Sequence, residues 1–325
     1  MIFPYLARLG CLCMAVFFLV HAALGLAVSA LAPWAAGFAR RLAPVHGARL
    51  LFALRLFPVS FALLVVAGVC TPSYLWLEPK GAPETTGLAC LAAALAGLAV
   101  WGRSFSRAAR ALARSRRYLL ECRERSRETR LPGERAAAWI VDGPPCVLLA
   151  GVLRPRLVIS RGVLAALSAD QLSAAIRHER AHAMARDNWK RLALVLAPGI
   201  LPFAPGFQTI ERAWAKLSEW AADDRAAAGK PRRSLALAAA LVRVARLGSA
   251  PAPPALAASL MADGADLSER VHRLLHPVRP TARARDREPI LAASAGLLVT
   301  GALAAVLAHP ATLQSAHEFL ELLIQ

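Results

Sequence analysis

Four long apolar runs set the frame of this chain. Residues 9–32, 56–76, 86–102 and 289–309 contain no Asp, Glu, Lys or Arg, and a bilayer core is crossed by about 20 helical residues, ~17 at the least. Each run therefore predicts a membrane-spanning helix. The first follows Arg8 as a secretory leader would, but its apolar stretch exceeds the ~7–15 residues of a cleaved leader, so it is expected to be retained. Between the third and fourth runs the pattern changes. Residues 104–130 are basic and helical in composition, suited to lying along an anionic inner leaflet, while 138–141 (AWIV), 146–151 (CVLLAG) and 156–160 (RLVIS) are short β-rich runs broken by Gly and Pro, which predict a small sheet. From Ser168 onward apolar positions recur at helical spacing (Leu172, Ile176, Ala183), and Ser168 with Gln171 forms a capping box. Helices near 209–228 and 233–247, a Pro/Ala linker at 251–256 and a short helix near 267–275 follow, without an internal repeat. The expected fold is a mainly α membrane protein with about four transmembrane helices and an α+β domain carrying a small sheet. Its expected divisions are three spans in 1–102, one domain in 103–288, and a last span with a short tail in 289–325.

Composition agrees with a membrane location, since 57% of residues are apolar and mean hydropathy is +0.46, against about 45–50% apolar in soluble domains. A purely soluble protein is excluded. The 39 Lys and Arg outnumber the 21 Asp and Glu, for a net charge of +18. In a membrane protein such an excess marks cytoplasmic loops. Direct nucleic-acid binding, the rival reading of this charge, is not expected, because aromatics are only 6% and the basic residues lie beside the apolar runs. Arg40, Arg41 and Arg49 then place the first loop inside, and Glu78, Lys80 and Glu84 place the second outside. Eleven Arg against four Glu in 103–135, with Arg270, Arg273, Arg279, Arg283, Arg285 and Arg287 before the fourth run, place 103–288 in the cytoplasm and both chain ends outside. Arg55 is expected to snorkel from the inner edge of the second span, and His21 to pack against a neighbouring helix. The six Cys form no C-x-x-C pair and read as small buried hydrophobes.

The chemistry centres on His178-Glu179-Arg180-Ala181-His182, an H-E-x-x-H within the capped helix. Two His at i and i+4 share a helical face, so both imidazoles can reach one tetrahedral Zn²⁺, while Glu179 can take a proton from an attacking water. A third protein ligand is required. Glu219 is the candidate, on a helix whose apolar positions Ile210, Trp214, Leu217 and Ala221 recur at helical spacing. Asp223 falls about 40° around that helix from Glu219 and can hold a ligand His in one tautomer, whereas Asp224 falls about 140° away.

At these residues the chain resembles a known family. HERAHAMARDNW followed by SEWAADDRAA is similar to the HExxHxxxxD and ExxxD pair of integral-membrane gluzincin peptidases. Upstream, LLAGVLRPRLVISRGVLAALSADQL resembles the strand and capped-helix block of BlaR/MecR-type antirepressor peptidases, metallopeptidase family 56, and LSERVHRLL is similar to their Arg-containing segment. The resemblance covers roughly 100–280. It implies a gluzincin-type domain in which His178, His182 and Glu219 bind zinc and Glu179 is the general base. Asp187 matches the trailing Asp of the motif and is expected to order the helix end beside the ligands. The β-lactam sensors of the family carry a penicillin-binding domain after the last span, whereas only residues 310–325 stand there here, so β-lactam reception by that route is not expected.

The uncharged stretch 192–210 resembles a fifth span, but crossing there would separate Glu219 from His178, and Pro198, Pro202 and Pro205 interrupt any helix. A bent segment, packed in the domain or dipping into the inner leaflet, is expected instead. Arg270, His272 and His276 are candidates for stabilising charge in the transition state, although basic residues are common just before a span. The strand at 146–151 is either an edge that aligns a peptide or a core strand. The expected function is zinc-dependent cleavage of a protein substrate, such as a repressor or other regulator, at the cytoplasmic face of an inner membrane. Alternatives are a quality-control peptidase of the prenyl-protein/heat-shock type (metallopeptidase family 48) and a non-catalytic membrane signalling protein. Membrane lipid and a protein or peptide substrate are the expected partners, and no motif specifies an oligomeric state.

Overall fold

The first apolar run lies within one uninterrupted helix, α1 (Tyr5–Ala39), and the second within α2 (Pro44–Val65), which continues through a five-residue π segment (Val66–Cys70) into α3 (Thr71–Leu77). The computed structural model describes residues 5–77, 87–129, 137–199, 206–248, 256, 258–259 and 267–276. Pro44 starts α2, where its missing N–H costs nothing. The π segment stands just before Pro72, which has no backbone N–H to give to the turn that precedes it. The third run opens α4 (Leu88–Arg125). By length and composition, α1, the α2–α3 unit and α4 can each cross a membrane, and many of the exposed large apolar side chains, including Leu26, Trp34, Leu95 and Leu98, point outward from them. The fourth run, 289–309, lies outside the described residues.

The basic stretch 104–130 is helical as far as Arg125, and α4 reaches it from the third apolar run through Gly102 and Arg103 without a break. The reason is a stripe of small buried residues, Ser104, Ala108, Ala111 and Ser115, that continues the packing face of the span beyond its apolar run. Arg107 on this helix donates to the carbonyls of Val195 and Ala197.

The three β-rich runs form β2 (Ala138–Val141), β3 (Val147–Ala150) and β4 (Arg156–Ser160), joined by β1 (Arg127–Thr129) and the two-residue β5 (Ala258–Ser259). The sheet order is β1-β2-β4-β3-β5, with β2 parallel to β4 and the other pairs antiparallel. Alternation along β2 buries both faces. Trp139 and Val141 pack with Leu148 and Val158 against Tyr118, Leu119 and Cys122 of α4, whereas Ala138 and Ile140 join a larger core with the helices that follow. Those helices are α5 (Arg161–Ala166), α6 (Ala169–Ala185), α7 (Asp187–Leu196), α8 (Gly206–Ala227), α9 (Pro231–Arg246) and α10 (Leu267–Leu275).

Of the stretch 192–210, residues 192–196 end α7 and 206–210 open α8, 200–205 lying outside the described residues, and these two ends pack on the apolar helices. Leu194, Phe207 and Ile210 join Trp214, Leu217 and Trp220 in one core with Val28, Ala32, Ala35 and Ala39 of α1 and Ala48 and Leu51 of α2. The approach is close because it is made by small residues: a Cβ on Gly206 would fall 2.4 Å from the Ser29 backbone. Arg55 does not snorkel. It is 2% exposed, pairs with Glu211 of α8 at 2.7 Å, donates to the Ala197 carbonyl and lies over the Phe207 ring. His21 is buried and stacked on Phe17, as a packed histidine should be.

Candidate metal centre

The capping box at the start of α6 is complete: Ser168 accepts from the Gln171 amide, and the Gln171 side chain accepts from the Ser168 amide. This fixes the first turn, and the sheet and α9 bury the helix beyond it. His178, Glu179 and His182 then lie in its interior, each at most 1% exposed. Arg186 ends α6 in the left-handed conformation, at φ 55°, so the chain turns at once into α7 and returns Asp187 to His182.

Glu219 comes from α8. The three candidate ligands meet in one place: the Nε2 atoms of His178 and His182 are 3.2 Å apart, with Glu219 carboxylate oxygens 3.4 Å from the first and 3.5 Å from the second. A tetrahedral ion with bonds of ~2.0–2.1 Å has ligand atoms about 3.3 Å apart, so these residues fit such an ion. Among the described residues this is the only cluster of three or more His, Cys, Asp or Glu so arranged. The other nitrogen of each imidazole faces a carboxylate, in a hydrogen bond at His182 and at close range without hydrogen-bond geometry at His178. His182 Nδ1 donates to Asp187 at 2.7 Å, and His178 Nδ1 stands 2.9 Å from Asp223 Oδ1. Such contacts fix the tautomer that turns both Nε2 atoms inward.

Electrostatics support the same fit. Both carboxylate oxygens of Glu179 and of Glu219 are buried without a hydrogen-bond donor in bonding geometry among the described residues, a costly arrangement unless a cation supplies the missing partner. Burial, the largest influence on Glu179, pushes its carboxyl up to about 7. Burial opposes charge on His182 as well, yet Glu219 and Asp187 raise it to about 10. His178 is raised in the same sense by Asp223 and Glu219 against its burial. Glu219 is held well below the ordinary carboxylate range, because His182, His178 and Arg270 outweigh its desolvation. Positive charge on the imidazoles thus balances buried acids, and a divalent cation bound there would displace those protons.

The other candidates divide. Arg270 of α10 is buried in the site, but its guanidinium is committed to Asp223 through two bonds of 2.8 Å, with Nη1 3.3 Å from Glu219. It positions the acids rather than facing an open oxyanion site. His272 lies outside the site: two residues on, it falls on the exposed face of α10 and stacks on His276. Asp224 is exposed and pairs with Arg273. Two contributors on α7 escape the sequence. Asn188 donates to the carbonyls of Leu149 and Gly151 and so ties β3 to the site, and Arg191 stands 3.7 Å from Glu219. The D-N pair immediately after the motif is the only local signal for Asn188, and Arg191 has none. β3 is paired on both sides, with β4 and with β5, so it is not a free edge. Beside His182 lies a cavity of about 360 Å³ lined by Leu149, Val152, Leu153, Pro155 and Trp189 among others.

A model of the BlaR1 peptidase M56 family matches residues 85–274, more than half of the chain. This chain belongs to that family. Comparisons with curated proteins and with solved structures give no match. As an M56 member with three apolar helices long enough to cross a bilayer, it is a membrane-associated peptidase. The family block takes in α4, the sheet and α6 to α9, and all but the last residue of α10; α1 and α2, on which α8 rests, precede it.

Proposed function

We propose that the protein is a zinc-dependent endopeptidase, with residues 103–288 forming the peptidase unit at the cytoplasmic face of an inner membrane. The observation that carries this reading is the convergence of His178, His182 and Glu219 at tetrahedral spacing beside a buried Glu179 whose carboxylate has no hydrogen-bond donor among the described residues. His178, His182 and Glu219 would hold the zinc, which would supply a Lewis acid for peptide hydrolysis. Glu179 is placed to take a proton from the attacking water and pass it to the leaving amine, a role suited to a carboxyl raised toward neutrality. Asp187 and Asp223 keep the imidazoles turned inward, and Arg270 keeps Asp223 and Glu219 in place.

β3 packs beside α6 and is paired on both sides, with β4 and with β5, so it offers no free edge for a peptide to join. The cavity beside His182 combines apolar walls (Leu149, Val152, Leu153) with polar ones (Arg186, Asp187, Asn188) and has room for a side chain of the substrate. By the resemblance of its motifs, the substrate is a regulatory protein such as a repressor. Orientation follows the Arg-rich segments, so a reporter fused at residue 230 should read the cytoplasm; an outer-face signal there would contradict it.

Glu179→Gln separates the enzyme from a non-catalytic signalling protein. The variant should keep its zinc and lose peptidase activity by about 10²–10⁴-fold, measured on the purified full chain with an unfolded model protein as substrate. Wild-type turnover in the variant would exclude the mechanism.

A further inference from the structure

Four cysteines far apart in sequence converge near the N-terminal end of α1. Cys11 and Cys13 lie on α1, Cys70 closes the π segment and Cys90 lies in the first turn of α4; all four belong to one apolar cluster with Tyr74 and Ala94. Within it, Cys13 Sγ stands 3.9 Å from Cys70 Sγ and 3.7 Å from the Thr71 hydroxyl. A disulfide needs about 2.05 Å between sulfurs, so the pair must close by roughly 1.9 Å. Rotation of the partly exposed Cys13 side chain and a small adjustment at Cys70 can supply this. Cys70 ends a π turn, a backbone form that departs from α-helical hydrogen bonding and is frequent at functional positions. The two thiols also differ in access, since Cys13 is partly exposed and Cys70 is buried. The cluster is separate from the metal centre: 19 residue steps along α1, roughly 28 Å of helix, separate Cys13 from Ala32, which packs in the core beneath α8.

We propose that Cys13 and Cys70 form a reversible redox dithiol whose oxidant is a small disulfide. The Cys13 thiolate attacks one sulfur of RS–SR, forming a mixed disulfide and releasing RS⁻, which takes up the proton Cys13 has lost. Cys70, giving up its proton, attacks the Cys13 sulfur, breaks its bond to SR and releases a second RSH. Two electrons pass from the dithiol to the oxidant, and a covalent link joins α1 to the second membrane helix. The Thr71 hydroxyl beside Cys13 can donate to the attacking thiolate.

The test uses the full chain in lipid nanodiscs with 2,2′-dithiodipyridine, a lipophilic small disulfide, followed by proteolysis and mass spectrometry. A peptide linked through Cys13 and Cys70 should form and disappear on reduction with dithiothreitol. Cys70→Ser should instead trap a pyridyl adduct on Cys13. A stable adduct on Cys13 in the wild type, a Cys11–Cys90 link in place of the expected one, or no reaction at Cys13 would overturn the assignment. The readout is thiol chemistry rather than proteolysis, so it stands or falls independently of the zinc peptidase reading.

Discussion

The two helices that build the metal centre are held in different ways. α6 carries its own start signal, lies against the sheet and α9, and presents His178, Glu179 and His182 from consecutive turns. α8 brings Glu219 with its apolar side seated on α1 and α2, and with α10 fastened across it by Arg270 to Asp223 and Arg273 to Asp224. Two ligands therefore depend on the packing of the domain, and the third depends on how membrane helices dock. Pairs such as Arg55 with Glu211 and close contacts such as Gly206 with Ser29 belong to the metal centre as much as the His178–His182 face does.

Removing the carboxylate behind each imidazole compares the two helices most sharply. Asp187→Ala acts on His182 and Asp223→Ala on His178, and each should weaken zinc affinity or activity by roughly 10–100-fold, read by competition with a chelator and by turnover. Asp223→Ala should have the larger effect, because it also removes the two bonds that hold the buried Arg270 beside Glu219. Equal or negligible losses would mean that the acids merely solvate the site. Next in size is the docking of α8. Gly206→Ala places a methyl group 2.4 Å from the Ser29 backbone, and overpacking of this kind costs about 1–3 kcal/mol. The variant should melt earlier and bind zinc more weakly while the capped α6 remains helical. Unchanged zinc affinity would show that α8 does not depend on α1.

An effect confined to metal-free protein is one of pH. In metal-free protein, burial raises Glu179 from 4.5 to about 7, so the folded state favours the neutral acid. Its contribution to stability is fully present below pH 4.5 and is lost as pH rises through 7. Gln cannot ionise. The stability of metal-free Glu179→Gln relative to wild type should therefore increase between pH 4.5 and 7 and level off above, as measured by urea unfolding with a chelator present. A pH-independent difference would place Glu179 in a more polar setting than the one described.

How much the sequence discloses follows the same division. The capped helix, the H-E-x-x-H face and the three core strands are local patterns, and they fold where their periodicities place them. Glu219 and Asp223 could be paired by helical spacing, but what holds their helix could not, because Ala32, Ala35 and Leu51 read simply as span residues. The helix that carries the third apolar run continues past Gly102 and Arg103 on a stripe of small residues that the change in composition there hides. Arg270 could be picked out as basic, but its burial against Asp223 depends on α10 crossing α8. The convergence of Cys13 with Cys70 joins positions 57 residues apart and leaves no spacing to read.

Zinc content of the purified full chain, measured beside three single variants, tests the centre most directly. About one zinc per chain is expected in the wild type and in Asp224→Ala, whose side chain is exposed and pairs only with Arg273 among the described residues. Glu219→Ala should lose its zinc, and His178→Ala should lose it as well. Zinc retained at full stoichiometry in Glu219→Ala but lost in Asp224→Ala would contradict both the register of α8 and the assignment of the third ligand.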